Sequence, residues 1–305
     1  MINSRNDALK SFQRARQQAK RAAVTAKLTG RDDRQVPFEM VRDELRLDNP
    51  LYKGVQQIPL DAIVGSIGRY DDFTRTFLPL KDVIKERWVG VEVLATHEGW
   101  PPIDVFQVGT IYFIKDGNHR TAVARQMGNS TIEAHVWAYP DDIDIDPTAD
   151  LDDILIKIGE EAFMRHTHLD ELVPDHGIVF TSPGRYPELE TQIENWRRKM
   201  AQIDGREIPF DEAVTLWYDM KYLPVTQIIR ESDLLGTFDG RTESDLFVWL
   251  SMHREKLAEQ YGDYKNLADL ANILVEQHSE SPVHRATRQL RNLIGGDELP
   301  PLDDL

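Results

Sequence analysis

The chain contains no cysteine. That excludes disulfides, iron–sulfur clusters, thiolate zinc sites and any thiol nucleophile. No apolar run reaches the length of a membrane span, and the first residues do not form a secretory signal. A cytoplasmic protein with no membrane partner is the resulting expectation. Positive charge is in short supply: 36 Lys and Arg stand against 52 Asp and Glu, a formal net charge of −16 over 305 residues. An acidic surface of that size favours solubility and repels nucleic acid over much of its area. The sequence also has no repeat of fixed period, which excludes a solenoid.

The hydrophobic fraction of 41% supports a packed core, and the length suits one large domain or two ordinary ones. The scarce basic residues cluster at the start. Residues 1–36 hold nine Lys or Arg against three Asp, a net of about +6, which leaves about −22 for the rest. Residues 5–29 read as one helix, rich in Ala, Lys, Arg and Gln, with Gly30 at the place of a C-terminal cap. Its basic side is either a solvated face or an arm for nucleic acid or an acidic partner.

From Asn49 to Tyr139 the pattern turns to strands and helices. Val55–Ile58 and Ile63–Val64 are short extended segments, and Gly65-Ser66-Ile67-Gly68-Arg69 is a glycine-bearing loop. Ile103–Val108 and Thr110–Ile114 are parted by Gly109 and read as a hairpin. Phe77–Leu94 is helical in character, and Thr131–Ala138 alternates as a half-buried strand does. A run of Asp between Asp141 and Asp153, punctuated by Pro140 and Pro147, reads as a solvated linker or helix-start region and as the best domain boundary. Beyond it the chain is mostly helical. Leu189, Ile193, Trp196, Met200 and Ile203 share a face; Phe210–Tyr222 and the segment opened by Pro224 follow; Thr242 and Asp245 form a capping-box variant. Ser281-Pro282 opens a last helix. These readings divide the chain into a basic helix and connector (1–48), an α+β domain (49–140), a helical domain (141–296) and an acidic tail (297–305).

The most informative stretch is Phe113-Ile-Lys-Asp-Gly-Asn-His-Arg-Thr-Ala122, a strand that turns into a helix stopped at Gly128. Such a junction presents unpaired backbone N–H groups and the positive end of a helix dipole. His119 and Arg120 add side-chain donors, so the place suits an anion, a phosphate chain above all. Gly117 supplies a backbone shape other residues resist, or lets a ligand approach. Asn118 caps the helix. His119 donates to phosphate or satisfies a buried neighbour. Arg120 can grip phosphate oxygens with two N–H groups.

The order Pro101-Pro102-Ile103, hairpin, Asp116-Gly-Asn-His-Arg120 turn and helix to Gly128 resembles the ParB/sulfiredoxin-like superfamily over roughly residues 50–140. The resemblance implies a small mixed sheet with flanking helices, carrying here an N-terminal helix and a helical C-terminal extension. It also implies a nucleotide, ATP or CTP, held with Mg²⁺ at the turn. Gly65, Ser66, Arg69, Gly117, Asn118, His119, Arg120 and Thr121 would contact the nucleotide, Asp116 would hold the metal, and Asp116 and His119 would serve any hydrolysis or phosphoryl transfer. Members of the superfamily bind CTP and clamp DNA, use ATP with a cysteine, phosphorylate serine, or are described as nucleases. Asn118 stands where sulfiredoxins have their cysteine, so the sulfiredoxin route is excluded. Two alternatives stay open: a nucleotide-gated, DNA-associated regulator or partitioning protein that uses the basic first helix, and a protein-interaction module with a vestigial site. A homodimer is among the assemblies the resemblance allows.

Other residues carry side chains suited to sites. Arg75, Glu86 and Arg87 read as surface-helix residues. His166, His168 and His176 with Asp170 could bind a transition metal. Trp196, Trp217 and Trp249 read as core residues rather than base-stacking platforms. Arg285, Arg288 and Arg291 form a stripe at helical spacing.

Overall fold

Two neighbouring strands end side by side, and the loops that leave them meet; this decides where the candidate site lies. A computed structural model describes residues 2–29, 33–97, 99–140, 143–232, 235–238, 240–254, 257 and 266–278. Its contacts divide the chain into two units, Met1–Glu161 and Ala162–Leu305.

The first unit is a mixed six-stranded sheet with flanking helices. The strands are β1 (Val36–Pro37), β2 (Leu51–Pro59), β3 (Ile63–Ser66), β4 (Ile103–Val108), β5 (Ile111–Asp116) and β6 (Thr131–Ala138). They lie in the order β1-β3-β5-β4-β6-β2. The β1/β3, β3/β5 and β4/β6 pairs are parallel; β4/β5 and β2/β6 are antiparallel. The hairpin between β4 and β5 closes over Gly109-Thr110, with Gly109 at φ 54°. A Cβ on Gly109 would stand 1.8 Å from the Ile143 carbonyl oxygen, so close backbone approach as well as the turn requires glycine there.

Alternation along the strands gives the sheet two apolar faces. Val105, Ile114, Ala134 and Val136 point to one side and are covered by α1 (Ile2–Thr29), α3 (Lys85–His97) and α4 (Asn118–Gln126). Phe12 of α1 meets Trp88 of α3 edge to face at 5.7 Å. Ala8, Ser11, Ala15 and Ala19 bury the same stripe, and their small size lets α1 lie close. Arg16 fixes its place by donating to Asp82 and to the carbonyls of Pro79 and Leu80. On the other side of the sheet, Phe38 of α2 (Phe38–Glu44) stacks on Phe106 at 4.8 Å.

Several sequence expectations need correction. The helix expected from Phe77 begins at Lys85, after a 3-10 turn at Asp82–Ile84. The acidic stretch is no bare linker, because Ile143 and Ile145 are buried and Thr110 Oγ1 bonds both N–H and C=O of Ile145. The helix start that the run also suggests is present: Asp150 caps α5 (Leu151–Thr167) by accepting from the Asp153 N–H at 3.0 Å.

The second unit is helical: α6 (Leu169–Leu172), α7 (Tyr186–Asp204), α8 (Phe210–Trp217), α9 (Leu223–Glu231), α10 (Glu243–Met252) and α11 (Leu267–His278). Tyr218–Tyr222 joins α8 to α9 as a π-helical turn, so the break expected before Pro224 is absent; Pro224 sits in the first turn of α9, where a missing N–H is tolerated. The expected capping box forms in full between Thr242 and Asp245. Trp217 and Trp249 are core residues, as expected, whereas Trp196 is only half-buried and carries the Lys221 ammonium over its ring at 4.3 Å. The helix expected from Ser281 and the stripe Arg285, Arg288, Arg291 lie outside the described residues. Among those described, no helix is long and apolar enough to cross a membrane.

Candidate functional site

Parallel pairing places Ser66 beside Ile114, so β3 and β5 end at the same edge of the sheet. The chain leaving β3 stays tied to β5, since the Ile67 N–H donates to the Ile114 carbonyl at 2.9 Å. The loops after the two strands are therefore neighbours. In open sheets the ends of parallel strands are where ligands bind, because the following helices point their N-termini there.

At this edge Gly117 is the N-cap of α4, with φ 119° and ψ 14°. A Cβ there would stand 2.3 Å from Ile103 Cγ2, so both the left-handed backbone and the fit against β4 demand glycine. No side chain caps the helix; its first backbone bond runs from the Thr121 N–H to the Gly117 carbonyl at 2.9 Å. Asn118, His119 and Arg120 thus open α4 ahead of any intrahelical acceptor.

A cleft of about 160 Å³ lies in front of this helix end. Ile67 and Arg69 bound it from the loop after β3, Arg87 and Val91 from α3, and Lys115 to Arg120 from the turn. Its lining includes Arg69, Arg87, Lys115 and Arg120 and the single carboxylate of Asp116, and of these cations Arg69 and Arg87 are the two whose charged ends are not taken up by the turn or by the other face of the sheet. Arg69 is 3.9 Å from Asp72, a loose pair. Lys115 lies over the Phe106 and Trp137 rings. Among the described residues Arg87 has no hydrogen-bond or ion-pair partner, and it is exposed.

His119 is 6% exposed and packs edge to face on Phe73 at 5.4 Å. Its Nδ1 is buried without a partner, as are Asn118 Oδ1 and Thr121 Oγ1. Burial, and then the charges of Arg87 and Arg69, lower its pKa to about 4, so the imidazole is neutral near pH 7. Since this pKa is depressed below the unfolded value of 6.5, the buried neutral ring contributes stability that is complete above pH 6.5 and is lost as pH falls toward 4. The slope from this group should approach about 1.4 kcal/mol per pH unit in that window. Denaturant titrations between pH 7 and 4 check it: the His119→Gln protein should show the shallower fall, and equal slopes in the two proteins would contradict it.

Arg120 sits differently from a freely available phosphate grip. Its guanidinium donates to the Pro101 and Pro102 carbonyls at 2.8 and 2.7 Å and to Asp116 Oδ2 at 2.5 Å, and its side chain is 15% exposed. It clasps the segment before β4 to the first turn of α4. Gly65 and Ser66 do not line the cleft. A Cβ on Gly65 would meet the Val36 carbonyl oxygen at 1.9 Å, and Ser66 Oγ donates to Gln35 Oε1 at 2.7 Å inside the protein. Thr121 is likewise buried and behind the cleft wall. Arg87, which its sequence context marks as a surface-helix residue, is brought in by α3. The available signal was its place beside the core residues Ile84, Trp88 and Val91.

Asp116 is the one acid of the cleft. Among the described residues no three His, Cys, Asp or Glu come together to hold a metal. Mg²⁺ here would have one protein carboxylate and would otherwise rely on phosphate oxygens and water, its usual manner with nucleotides. His166, His168 and His176 take separate partners: Glu190, Asp211 and the Ile178 N–H. On α1 the exposed Lys10, Arg14 and Arg21 form a ridge opposite the buried stripe, while Arg5 pairs with Glu86.

No family model matches the chain, and no curated protein is significantly similar to it.

Proposed function

We propose that the chain is a nucleotide-binding protein of the ParB/sulfiredoxin-like kind, holding the phosphate chain of ATP or CTP in the cleft at the start of α4. One observation carries this reading: in a chain of net charge −16, the cleft in front of an uncapped helix N-terminus is bordered by two exposed arginines, Arg69 and Arg87, while its one acid, Asp116, is already paired with Arg120. Local positive charge against a negative whole focuses an anion to that place. Arg69 and Arg87 are the exposed grips, the α4 amides face the phosphates, and Arg120 shapes the turn. Asp116 fits Mg²⁺ that arrives on the phosphates.

The arrangement favours binding over turnover. The neutral, buried imidazole of His119 is a poor proton acceptor at pKa about 4, and Asp116 is already paired with Arg120. Calorimetric titration of ATP, CTP and tripolyphosphate, each with and without Mg²⁺, tests the reading. A ligand at a hundred times its dissociation constant should also stabilise the protein by about 2.7 kcal/mol. No heat and no stabilisation with any of the three would end it.

A further inference from the structure

A cleft of about 160 Å³ is too small for a whole nucleotide, since sites for molecules of that size run to roughly 300–1,000 Å³. The part it can enclose is the phosphate end, because its lining offers donors and charge rather than flat apolar surface. Among the described residues that line it, the only ring is the His119 imidazole, and that ring is 6% exposed and packed edge to face on Phe73. Stacking on an aromatic face, the common grip on a base, therefore has no open platform in the cleft. A second observation points to a ligand there. Asn118 and His119 both line the cleft at 7% and 6% exposure, and Asn118 Oδ1 and His119 Nδ1 have no partner. A neutral imidazole offers one N–H, and an amide offers its NH₂ by turning about its last bond. Neither adds charge, and the first-turn amides of α4 add further N–H groups. Donors of this kind match phosphate oxygens, whose charge the exposed Arg69 and Arg87 meet from the rim.

We infer that the cleft takes the end of an oligophosphate and reads nothing beyond it, so that inorganic tripolyphosphate and the nucleoside triphosphates are one class of ligand for this protein. This rests on the phosphate reading of the cleft and names its ligand by the group that enters. The number of phosphate charges then sets affinity. Orthophosphate binds most weakly, pyrophosphate and tripolyphosphate more tightly, and a nucleoside on the far end adds little. Tyr70 offers the check on that last point. It follows Arg69 in the chain and is 38% exposed, but it is not part of the lining. A base leaning out of the cleft past Arg69 would have that ring to stack on.

The experiment is calorimetric titration of orthophosphate, pyrophosphate, tripolyphosphate, ATP, CTP, GTP and UTP, with Mg²⁺ and at one ionic strength, into the wild-type and Tyr70→Ala proteins. A stacked base adds about fivefold or more to affinity, so that is the dividing line. The four nucleotides and tripolyphosphate should bind wild type within about fivefold of one another, with orthophosphate weakest of all. Tyr70→Ala, at an exposed position, should leave that order unchanged. One nucleotide binding more than about fivefold tighter than tripolyphosphate shows that its base is read, which overturns the inference and leaves the phosphate cleft standing. Loss of nucleotide but not tripolyphosphate affinity in Tyr70→Ala does the same. Failure of tripolyphosphate and of every nucleotide to bind wild type removes both.

Discussion

Gly65→Ala should lose about 3 kcal/mol of stability, at the upper end of the usual cost of overpacking. The glycine-bearing loop after β3 invites a ligand-binding reading, yet the first glycine is inside the sheet. Gly65 pairs with Val36 on one side and Phe113 on the other. The added methyl would stand 1.9 Å from the Val36 carbonyl oxygen and 3.1 Å from Phe113 Cδ1. The first neighbour is backbone and cannot rotate away, so β1 must move off β3. Gly68, in the next turn, has φ +68° and nothing within 4 Å of its would-be Cβ. Gly68→Ala should therefore cost only left-handed strain, about 1 kcal/mol. Thermal melts separate the two, since a unit of this size shifts by roughly 2–4 °C per kcal/mol. Gly65→Ala melting together with Gly68→Ala would show that β1 gives way freely.

The double variant Arg69→Ala/Arg87→Ala should lose roughly a thousandfold in tripolyphosphate affinity. A hydrogen bond to a charged group contributes about 1.5–3 kcal/mol, so two at about 2 kcal/mol each give about 4 kcal/mol. Both side chains are exposed and neither belongs to the core, so melting should change little. Arg120→Ala should behave otherwise. It removes three donated bonds that join α4 to Pro101, Pro102 and Asp116, so stability and affinity should fall together. Titration calorimetry with parallel melts reads both quantities. Affinity of the double variant within threefold of wild type would show that these two arginines do not grip the anion.

The parts of the fold that were legible depend on neighbours in sequence. The β4–β5 hairpin, the alternation of β6, the first part of the α7 stripe (Leu189 and Ile193) and the Thr242 box are set by turn chemistry, periodicity and capping, while Ile203 at the far end of that stripe is exposed. The Asp116–Arg120 turn was legible for the same reason: a strand, a glycine and a polar helix start are consecutive. Arg87 was not legible, because its approach to His119 depends on how α3 packs against α4. Ser66 misled, because its partner Gln35 is 31 residues away.

The sequence by itself determined the local elements, the acidic balance, the absence of thiol chemistry and the glycine-led helix start that makes an anion site conceivable. The tertiary structure alone decided which side chains stand at that helix start. Parallel pairing of β3 with β5 sets Arg69 beside the turn, α3 adds Arg87, and Arg120 turns back to the Pro101-Pro102 carbonyls. Pairing and helix packing join residues far apart in the chain, and no spacing rule along a single sequence encodes which of them will meet.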